Sequence, residues 1–231
     1  MPEPLAPTVG WGVLHLFCVP GPDVDRDAVL AAVKELESAE DHQVVTVALL
    51  GHKGDVGFMA LGPDLWRLRR FQTGLTSAGL VVVDSFVSLT EVSEYAAGVP
   101  AELKEARLHP QLPPEGKPAF CFYPMSKRRT PGQNWFTLPF EERKDLMYAH
   151  GKSGRRCAGR VLQVVTGATG VDDWEWGVTL FGVHPDDLKE VVYTMRFDEA
   201  SAIYAEFGAF VTGMVAPVEQ VLDEVGVGPA S

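Results

Sequence analysis

Hydrophobic and polar positions alternate in a regular order along the first half of the chain. Short apolar runs bounded by turn residues predict strands at residues 12–19, 43–50, 56–61 and 80–92. Apolar residues spaced three and four apart predict helices at residues 25–38 and from residue 63 to about residue 74. The predicted order in this half is therefore βαββαβ.

The same order returns in the second half. Here the pattern predicts strands at residues 119–125, 160–166, 174–181 and 207–214, and helices at residues 139–150 and 186–195. A βαββαβ segment is the ferredoxin-like unit, whose antiparallel sheet carries its helices on one face. We found no residue-level identity between the halves, so the repeat is one of pattern. We expect an α+β fold in which two such units pack sheet against sheet.

A proline-rich segment separates the two halves. Residues 96–118 contain Pro100, Pro110, Pro113, Pro114 and Pro118. Proline is poorly tolerated in a helix interior and in a central strand. The sequence thus predicts an N-terminal half over residues 1–95, a linker over residues 96–118 and a C-terminal half over residues 119–231.

The composition is that of a globular protein with a packed core. The 231 residues are 46% hydrophobic and 22% charged. The first eight residues lack a basic region followed by an apolar one, and no apolar run reaches the length of a membrane span. Three cysteines without a CxxC pair indicate neither a disulfide framework nor a zinc knuckle. We expect a cytoplasmic protein in a reducing compartment, with no membrane span.

The charge is acidic overall but locally basic. A net charge of −11 argues against nucleic acid as a partner, because phosphate binding requires a basic face. Cations nevertheless cluster at Lys127, Arg128, Arg129, Lys152, Arg155, Arg156 and Arg160. The cluster is either a solvated charged edge or a site for a small polyanionic ligand.

One histidine stands at the end of a well-marked helix. Pro139 suits the first turn of this predicted helix, and Gly151 is typical of the position just past its end. His150 follows Phe140 and Met147 along the apolar stripe. A histidine at such a place is more often a core residue bonded to a carbonyl group, and the alternative is a metal or haem ligand.

A tyrosine and a glutamine occupy unusual strand positions. Alternation along the predicted strand 119–125 places Cys121, Tyr123 and Met125 on one face, and Lys127 extends that face. A hydrogen-bonded core tyrosine is the commoner interpretation of Tyr123. On the strand 160–166, Gln163 lies among apolar neighbours and needs a polar partner, which a bound ligand could supply.

Several motifs, in order, resemble one family. They are YPMSKRR (123–129), NW (134–135), LPFEER (138–143), HGK (150–152), DDWEWGVTLF (172–181) and YTMRFDEAS (193–201). Together they closely resemble the coproheme decarboxylases of the chlorite-dismutase-like superfamily. The resemblance is dense over residues 120–213. In the first half it rests on WGVLHLF (11–17) and GHKGD (51–55).

The resemblance implies both a fold and a reaction. Members of this family form a dimeric α+β barrel from two ferredoxin-like repeats and usually assemble as homopentamers. They oxidatively decarboxylate iron coproporphyrin III (coproheme) at two propionates to give haem b, with hydrogen peroxide as oxidant. Coproheme is thus both substrate and redox cofactor, and this is the last step of the coproporphyrin-dependent route to haem. A transient contact with the ferrochelatase that supplies coproheme is also expected.

The resemblance also assigns roles to residues. His150 matches the axial ligand of the iron, Tyr123 the tyrosine that forms a radical, and Gln163 the distal glutamine. The residues that match the propionate lining or its anchors are Met125, Lys127, Arg107, Arg155, Arg196 and Ser201. The chain departs from the family at Phe86 and Phe136, where relatives are expected to carry tyrosine. Tyr123 is then the only tyrosine in a matching catalytic position.

Three other functions remain open at this point. Chlorite dismutase activity is disfavoured, because those enzymes carry a distal arginine where this chain has Gln163. A haem carrier or sensor without decarboxylase activity is the main alternative, and the presence of Tyr123 argues against it. A ferredoxin-like dimer that binds no haem would leave His150 and the basic cluster unexplained.

Overall fold

The first half contains all six of its predicted elements. The structure, a computed structural model, describes residues 3–228, so the outermost residues of both predicted halves lie outside the described residues. The first half comprises β1 (Gly12–Pro20), α1 (Arg26–Glu37), β2 (Gln43–Leu50), β3 (Val56–Gly62), α2 (Leu65–Ser77) and β4 (Leu80–Thr90). An unpredicted helix, α3 (Ala101–Leu108), lies within the predicted linker. It fits between Pro100 and Pro110, so no proline occupies its interior.

The second half contains its predicted elements and several short ones. Its elements are β5 (Ala119–Lys127), β6 (Arg129–Thr130), β7 (Gln133–Asn134), α4 (Phe140–Gly154), β8 (Val161–Gly167), β9 (Trp176–Gly182), α5 (Pro185–Met195), α6 (Glu199–Ala202), β10 (Ala205–Phe207), β11 (Val211–Val215) and α7 (Val218–Glu224). In the part of the chain that the structure describes, no helix is long and apolar enough to cross a membrane.

Two predicted boundaries in this half are wrong. Helix α4 continues through Gly151 to Gly154, where the N–H of Arg155 donates to the carbonyl of Gly151. A glycine inside a helix costs only about 1 kcal/mol relative to alanine, so it need not end the helix. Phe207 does not belong to the last strand. It ends β10, which pairs with β5, and the chain turns before β11 begins at Val211.

Nine of the described strands form one large antiparallel sheet that closes on itself, whereas β6 and β7 pair separately. The fold is a mixed α+β fold, as predicted. In the first half the order is β4-β1-β3-β2, and in the second it is β11-β5-β9-β8. Pairing of β11 with β2 and of β4 with β8 joins the halves, so these eight strands form a closed ring.

The two faces of this ring have different environments. Alternate residues point inward and fill the interior with aromatic rings, which include Phe17, Phe86, Phe120, Phe122 and Phe181. Helices α1, α2 and α7 cover the outer face of the first half. In the second half, Leu188 and Val191 of α5 pack on β5 and β9. The outward positions Gln163 and Val165 of β8 remain exposed, so part of this outer face is open.

Replacement of Gly213 by alanine should loosen the junction between the halves. Gly213 lies on β11 between β2 and β5, and a methyl group there would fall 2.6 Å from Cγ1 of Val47 and even closer to the carbonyl oxygen of Ala48. We expect Gly213→Ala to lower the free energy of unfolding by about 1–3 kcal/mol in urea titrations, because the backbones must move apart. Gly98→Ala, where the added methyl meets nothing within 4 Å, is the matched control. Equal stability of the two variants would contradict this account.

Candidate active site

The open outer face of the second half carries Tyr123 and Gln163. Across β5, β9 and β8, one row of paired residues is Tyr123, Val178 and Val165, and the adjacent row is Cys121, Leu180 and Gln163. Directly paired residues point to the same face of a sheet. The predicted alternation of β5 is therefore confirmed. Tyr123 and Gln163 share the outward face, and their strands lie roughly 10 Å apart because β9 separates them.

Tyr123 is buried against two phenylalanines. Only 7% of the residue is exposed, and its ring centroid lies 4.4 Å from that of Phe210, in a stacked arrangement, and 5.6 Å from that of Phe207. Burial raises the pKa of Tyr123 well above its ordinary value, and Cys121 adds to the increase. The phenol is consequently neutral at physiological pH. Met125, its neighbour on the same face, is partly buried against the hydrophobic cluster that contains Tyr123, Cys121 and Val178.

His150 is held through one ring nitrogen. Its Nδ1 lies 2.5 Å from Oδ2 of Asp198, and Oγ of Ser201 lies 3.2 Å from the same oxygen. Burial would raise the pKa of Asp198, but the hydrogen bonds from His150 and Ser201 and the charge of Lys127 outweigh burial and lower it. Among the described residues, Nε2 of His150 has no hydrogen-bond partner, and about a quarter of the side chain is exposed. This nitrogen is available to a ligand.

Lys127 lies beside Asp198 and Ala200 rather than on the open face that carries Gln163. Its ammonium donates to the carbonyl of Ala200 at 2.6 Å and lies 4.4 Å from the ring centroid of Trp135. Burial lowers the pKa of Lys127 to about 8, although Asp198 and Glu175 act in the opposite direction. Its predicted role in lining a propionate remains a prediction.

Arg155 contributes to a basic cleft at the C-terminal end of the helix that carries His150. The cleft has a volume of about 570 Å³ and is lined by Ala149, Lys152, Ser153, Arg155 and Arg156. Among residues 3–228, no acidic side chain forms an ion pair with any of these three cations. Three unneutralised cations within five residues are notable in a protein of net charge −11.

The remaining predicted residues lie on separate elements. Arg196 follows α5, and its guanidinium lies 4.6 Å from the ring centroid of Tyr193. Arg107 is exposed in the last turn of α3. No hydrogen bond or ion pair between described residues connects Arg107 to Tyr123 or His150. The anchoring roles of both arginines remain predictions.

The two phenylalanines that replace expected tyrosines have different environments. Phe86 is buried inside the strand ring, with its ring centroid 5.4 Å from that of Phe122. It therefore points away from the outward face that carries Tyr123. Phe136 is 45% exposed, and the guanidinium of Arg129 lies over it at 4.7 Å from the ring centroid.

Three residues of this site were missed by the sequence analysis. Asp198 stands three positions before Ser201 in the motif YTMRFDEAS, and an acid so close to a predicted site residue was an available signal. Phe207 and Phe210 flank Gly208 directly before β11. Nothing local marks them, since their contact with Tyr123 depends on how β10 pairs with β5.

Comparisons with known proteins bear on the family and the fold of this chain. Residues 26–216 match the family described as chlorite dismutase. A structure described as a heme-binding protein from Thermus thermophilus is 37% identical and superposes with a TM-score of 0.85, over 98% of this chain and 99% of that one. Chlorite dismutase from Candidatus Nitrospira defluvii is 17% identical with a TM-score of 0.75, over 95% and 96% of the two chains, and shares the fold.

The match extends over most of the chain, and the chain therefore belongs to the chlorite dismutase family. Within that family, it resembles the coproheme decarboxylase of Staphylococcus carnosus (strain TM300). The two sequences are 39% identical over 237 aligned residues, which cover 91% of this chain and 93% of the relative. The resemblance inferred from the motifs is confirmed.

The lowered pKa of Lys127 predicts a pH-dependent stability. The pKa is about 8 in the folded protein and 10.5 for the free side chain, so between these values the unfolded chain binds more protons. The free energy of unfolding should therefore rise with pH in this window, by roughly 1–2 kcal/mol relative to Lys127→Met. Chemical denaturation at pH 8 and pH 10 measures the difference. The exposed variant Lys34→Met is the control, and an identical pH dependence of Lys127→Met and wild type would contradict the prediction.

Proposed function

We propose that this chain catalyses the oxidative decarboxylation of coproheme at two propionates, with hydrogen peroxide, to give haem b. The observation that carries the proposal is His150, whose Nδ1 is bound by the buried Asp198 and whose Nε2 is left free. This arrangement of His150 and Asp198 occurs in a chain that is 39% identical to a coproheme decarboxylase. In this role the protein performs the last step of the coproporphyrin-dependent route to haem.

The histidine fits an iron porphyrin. Neutral imidazole is a common axial ligand of haem iron, and a carboxylate on its other nitrogen fixes the ring and increases its basicity. Asp198 would do this for His150, because the 2.5 Å contact leaves only Nε2 to coordinate. Gln163, on the outward face of β8, is a second residue that would contact the bound porphyrin.

The basic cleft fits the acid groups of the substrate. Coproheme carries four carboxylates and haem b carries two, so the substrate demands more positive charge than the product does. A buried anion without a partner costs several kcal/mol, whereas each charge-assisted hydrogen bond contributes about 1.5–3 kcal/mol. Arg155 and its neighbours Lys152 and Arg156 have no acidic partner of their own among the described residues and are free for this role. Loss of two carboxylates would weaken binding and favour product release.

The neutral phenol of Tyr123 suits hydrogen-atom transfer. Bound coproheme and peroxide supply the oxidising equivalents. Burial raises the pKa of Tyr123, so its phenol keeps its hydrogen until it is oxidised. The phenoxyl oxygen left when the phenol loses a hydrogen atom can take a hydrogen from the propionate carbon next to the porphyrin ring. Each propionate becomes a vinyl group and releases carbon dioxide, a proton and two electrons. One hydrogen peroxide accepts the two electrons and, with two protons, becomes two waters.

We also propose the finer architecture and the assembly that the family implies. The same strand order in each half supports two ferredoxin-like units that form one dimeric α+β barrel. The proposed boundaries are residues 1–95, 96–118 and 119–231. A homopentamer in the cytoplasm, which receives coproheme through transient contact with a ferrochelatase, rests on the family resemblance alone.

The second candidate function is a haem carrier or sensor without decarboxylase activity. It is favoured by the description of the Thermus thermophilus relative as a heme-binding protein. The two candidates differ in whether the bound porphyrin changes mass after peroxide is added.

Tyr123→Phe should separate binding from turnover. With coproheme and peroxide, wild type should yield haem b through a three-propionate intermediate seen by mass spectrometry. Tyr123→Phe should bind coproheme nearly as well but lose activity by more than about a hundredfold, because its ring has no O–H to lose. The matched control is Tyr148→Phe, which alters a 72% exposed tyrosine of α4. Binding by wild type without any mass loss would favour the carrier, and normal turnover by Tyr123→Phe would remove Tyr123 from the mechanism.

His150→Ala should change the coordination of the iron. We expect a changed absorption spectrum of ferric coproheme and an affinity about 10–100-fold lower, since the axial bond is lost. His52→Ala, which alters an exposed histidine in the turn between β2 and β3, should leave both unchanged. An unaltered spectrum in His150→Ala would show that another residue binds the iron.

A further inference from the structure

The GHKGD motif of the first half has no role in the mechanism described above. It forms the turn at residues 51–55 between β2 and β3, where Gly51 adopts a φ of +97°. From this turn the ammonium of Lys53 donates a hydrogen bond to the backbone carbonyl of Phe210. A residue of the N-terminal half therefore contacts the loop between β10 and β11 of the C-terminal half.

That loop is pressed against β5 at its other end. The N–H of Gly208 donates to the carbonyl of Pro124 at 2.8 Å. A methyl group at Gly208 would lie 2.6 Å from Pro124 and 3.0 Å from the ring of Trp174, so only glycine fits here without a shift. Gly208 and Lys53 thus hold the loop from both sides, directly next to Tyr123.

The loop between β10 and β11 places two phenylalanine rings against Tyr123. Phe210 stacks on Tyr123 with an interplanar angle of 25°, and Phe207 meets Tyr123 edge-on at 71°. Phe210 is 36% exposed and Phe207 is 43% exposed, so both rings cover Tyr123 from the solvent side. No hydrogen bond within the described residues holds the hydroxyl of Tyr123, which leaves ring packing to fix its position.

We propose that Phe210 is a positioning residue for Tyr123 and that Lys53 holds Phe210 in place, so that the N-terminal half controls the reactive phenol. The inference rests on the proposed function of Tyr123. A displacement of about 1 Å in a reacting group can cost up to about a hundredfold in rate, so a loosened ring should slow hydrogen transfer without weakening substrate binding.

Kinetics of single variants test the two contacts. Phe210→Leu should slow loss of the first carboxyl group about tenfold, with the dissociation constant of coproheme within about twofold of wild type. Lys53→Met should act in the same direction but less, and Lys53→Arg should restore the rate, because it keeps a donor for the carbonyl. Trp66→Leu and Lys34→Met, an exposed aromatic and an exposed lysine elsewhere in the first half, are the controls. Wild-type rates in Phe210→Leu would overturn the proposal.

The double variant tests whether the two residues act in series. If Lys53 acts only through Phe210, Lys53→Met should add nothing to the defect of Phe210→Leu. Additive losses of rate would instead show that Lys53 acts independently, and this would overturn the link between the halves.

A measurement without substrate separates this inference from the proposed function. In protein labelled with fluorotyrosine, the ¹⁹F signal of Tyr123 is identified among the five tyrosines by its absence in Tyr123→Phe. It should shift in Phe210→Leu, which removes the stacked ring, and in Lys53→Met, but not in Lys34→Met. If wild type fails to decarboxylate coproheme while these shifts occur, the proposed function fails and the positioning contact stands. An unmoved Tyr123 signal in both variants would reject the contact itself.

Discussion

The strict alternation of side chains along β5 is the constraint on which the rest of the site depends. Because this strand is paired on both sides, a slip of one residue would exchange its two faces. Phe120 and Phe122 pack into the interior of the closed ring of strands. Because side chains alternate along β5, Cys121 and Tyr123 must therefore point outward. The phenol is therefore held on a rigid central strand, which positions a reactive group better than a loop does.

The surroundings of His150 are stabilised differently, by buried charged side chains that are paired or hydrogen-bonded. Asp198 and Lys127 are both buried, and neither would be stable there alone. The carboxylate accepts hydrogen bonds from His150 and Ser201, and the ammonium donates to Ala200. Helices α4 and α6 are thereby tied to the end of β5. The arrangement keeps one imidazole nitrogen engaged and leaves the other for a ligand.

The two halves share a strand order but not a role. In the first half, α1, α2 and α7 cover the outer face of the sheet and give an ordinary hydrophobic core. In the second half, the outer face stays partly open at Gln163 and Val165. The same strand arrangement therefore forms a packed hydrophobic core in the first half and carries the candidate site in the second, because function depends on the side chains and not on the fold alone. The hydrogen bond from Lys53 to the carbonyl of Phe210 connects the first half to the loop beside Tyr123.

The sequence by itself determined the elements with strong local periodicity, the order of the strands along the chain and the family. It also determined that Tyr123 lies on the face of its strand opposite Phe120 and Phe122. These follow from patterns that span a few residues, such as the alternation over 119–125, or from contiguous motifs. It did not determine where α4 ends, that α3 forms between Pro100 and Pro110, or that Phe86 points into the ring. Only the tertiary structure decided the partners of the functional residues. His150 meets Asp198 across 48 positions and Lys53 meets Phe210 across 157, and such contacts depend on which strands pair and not on local spacing.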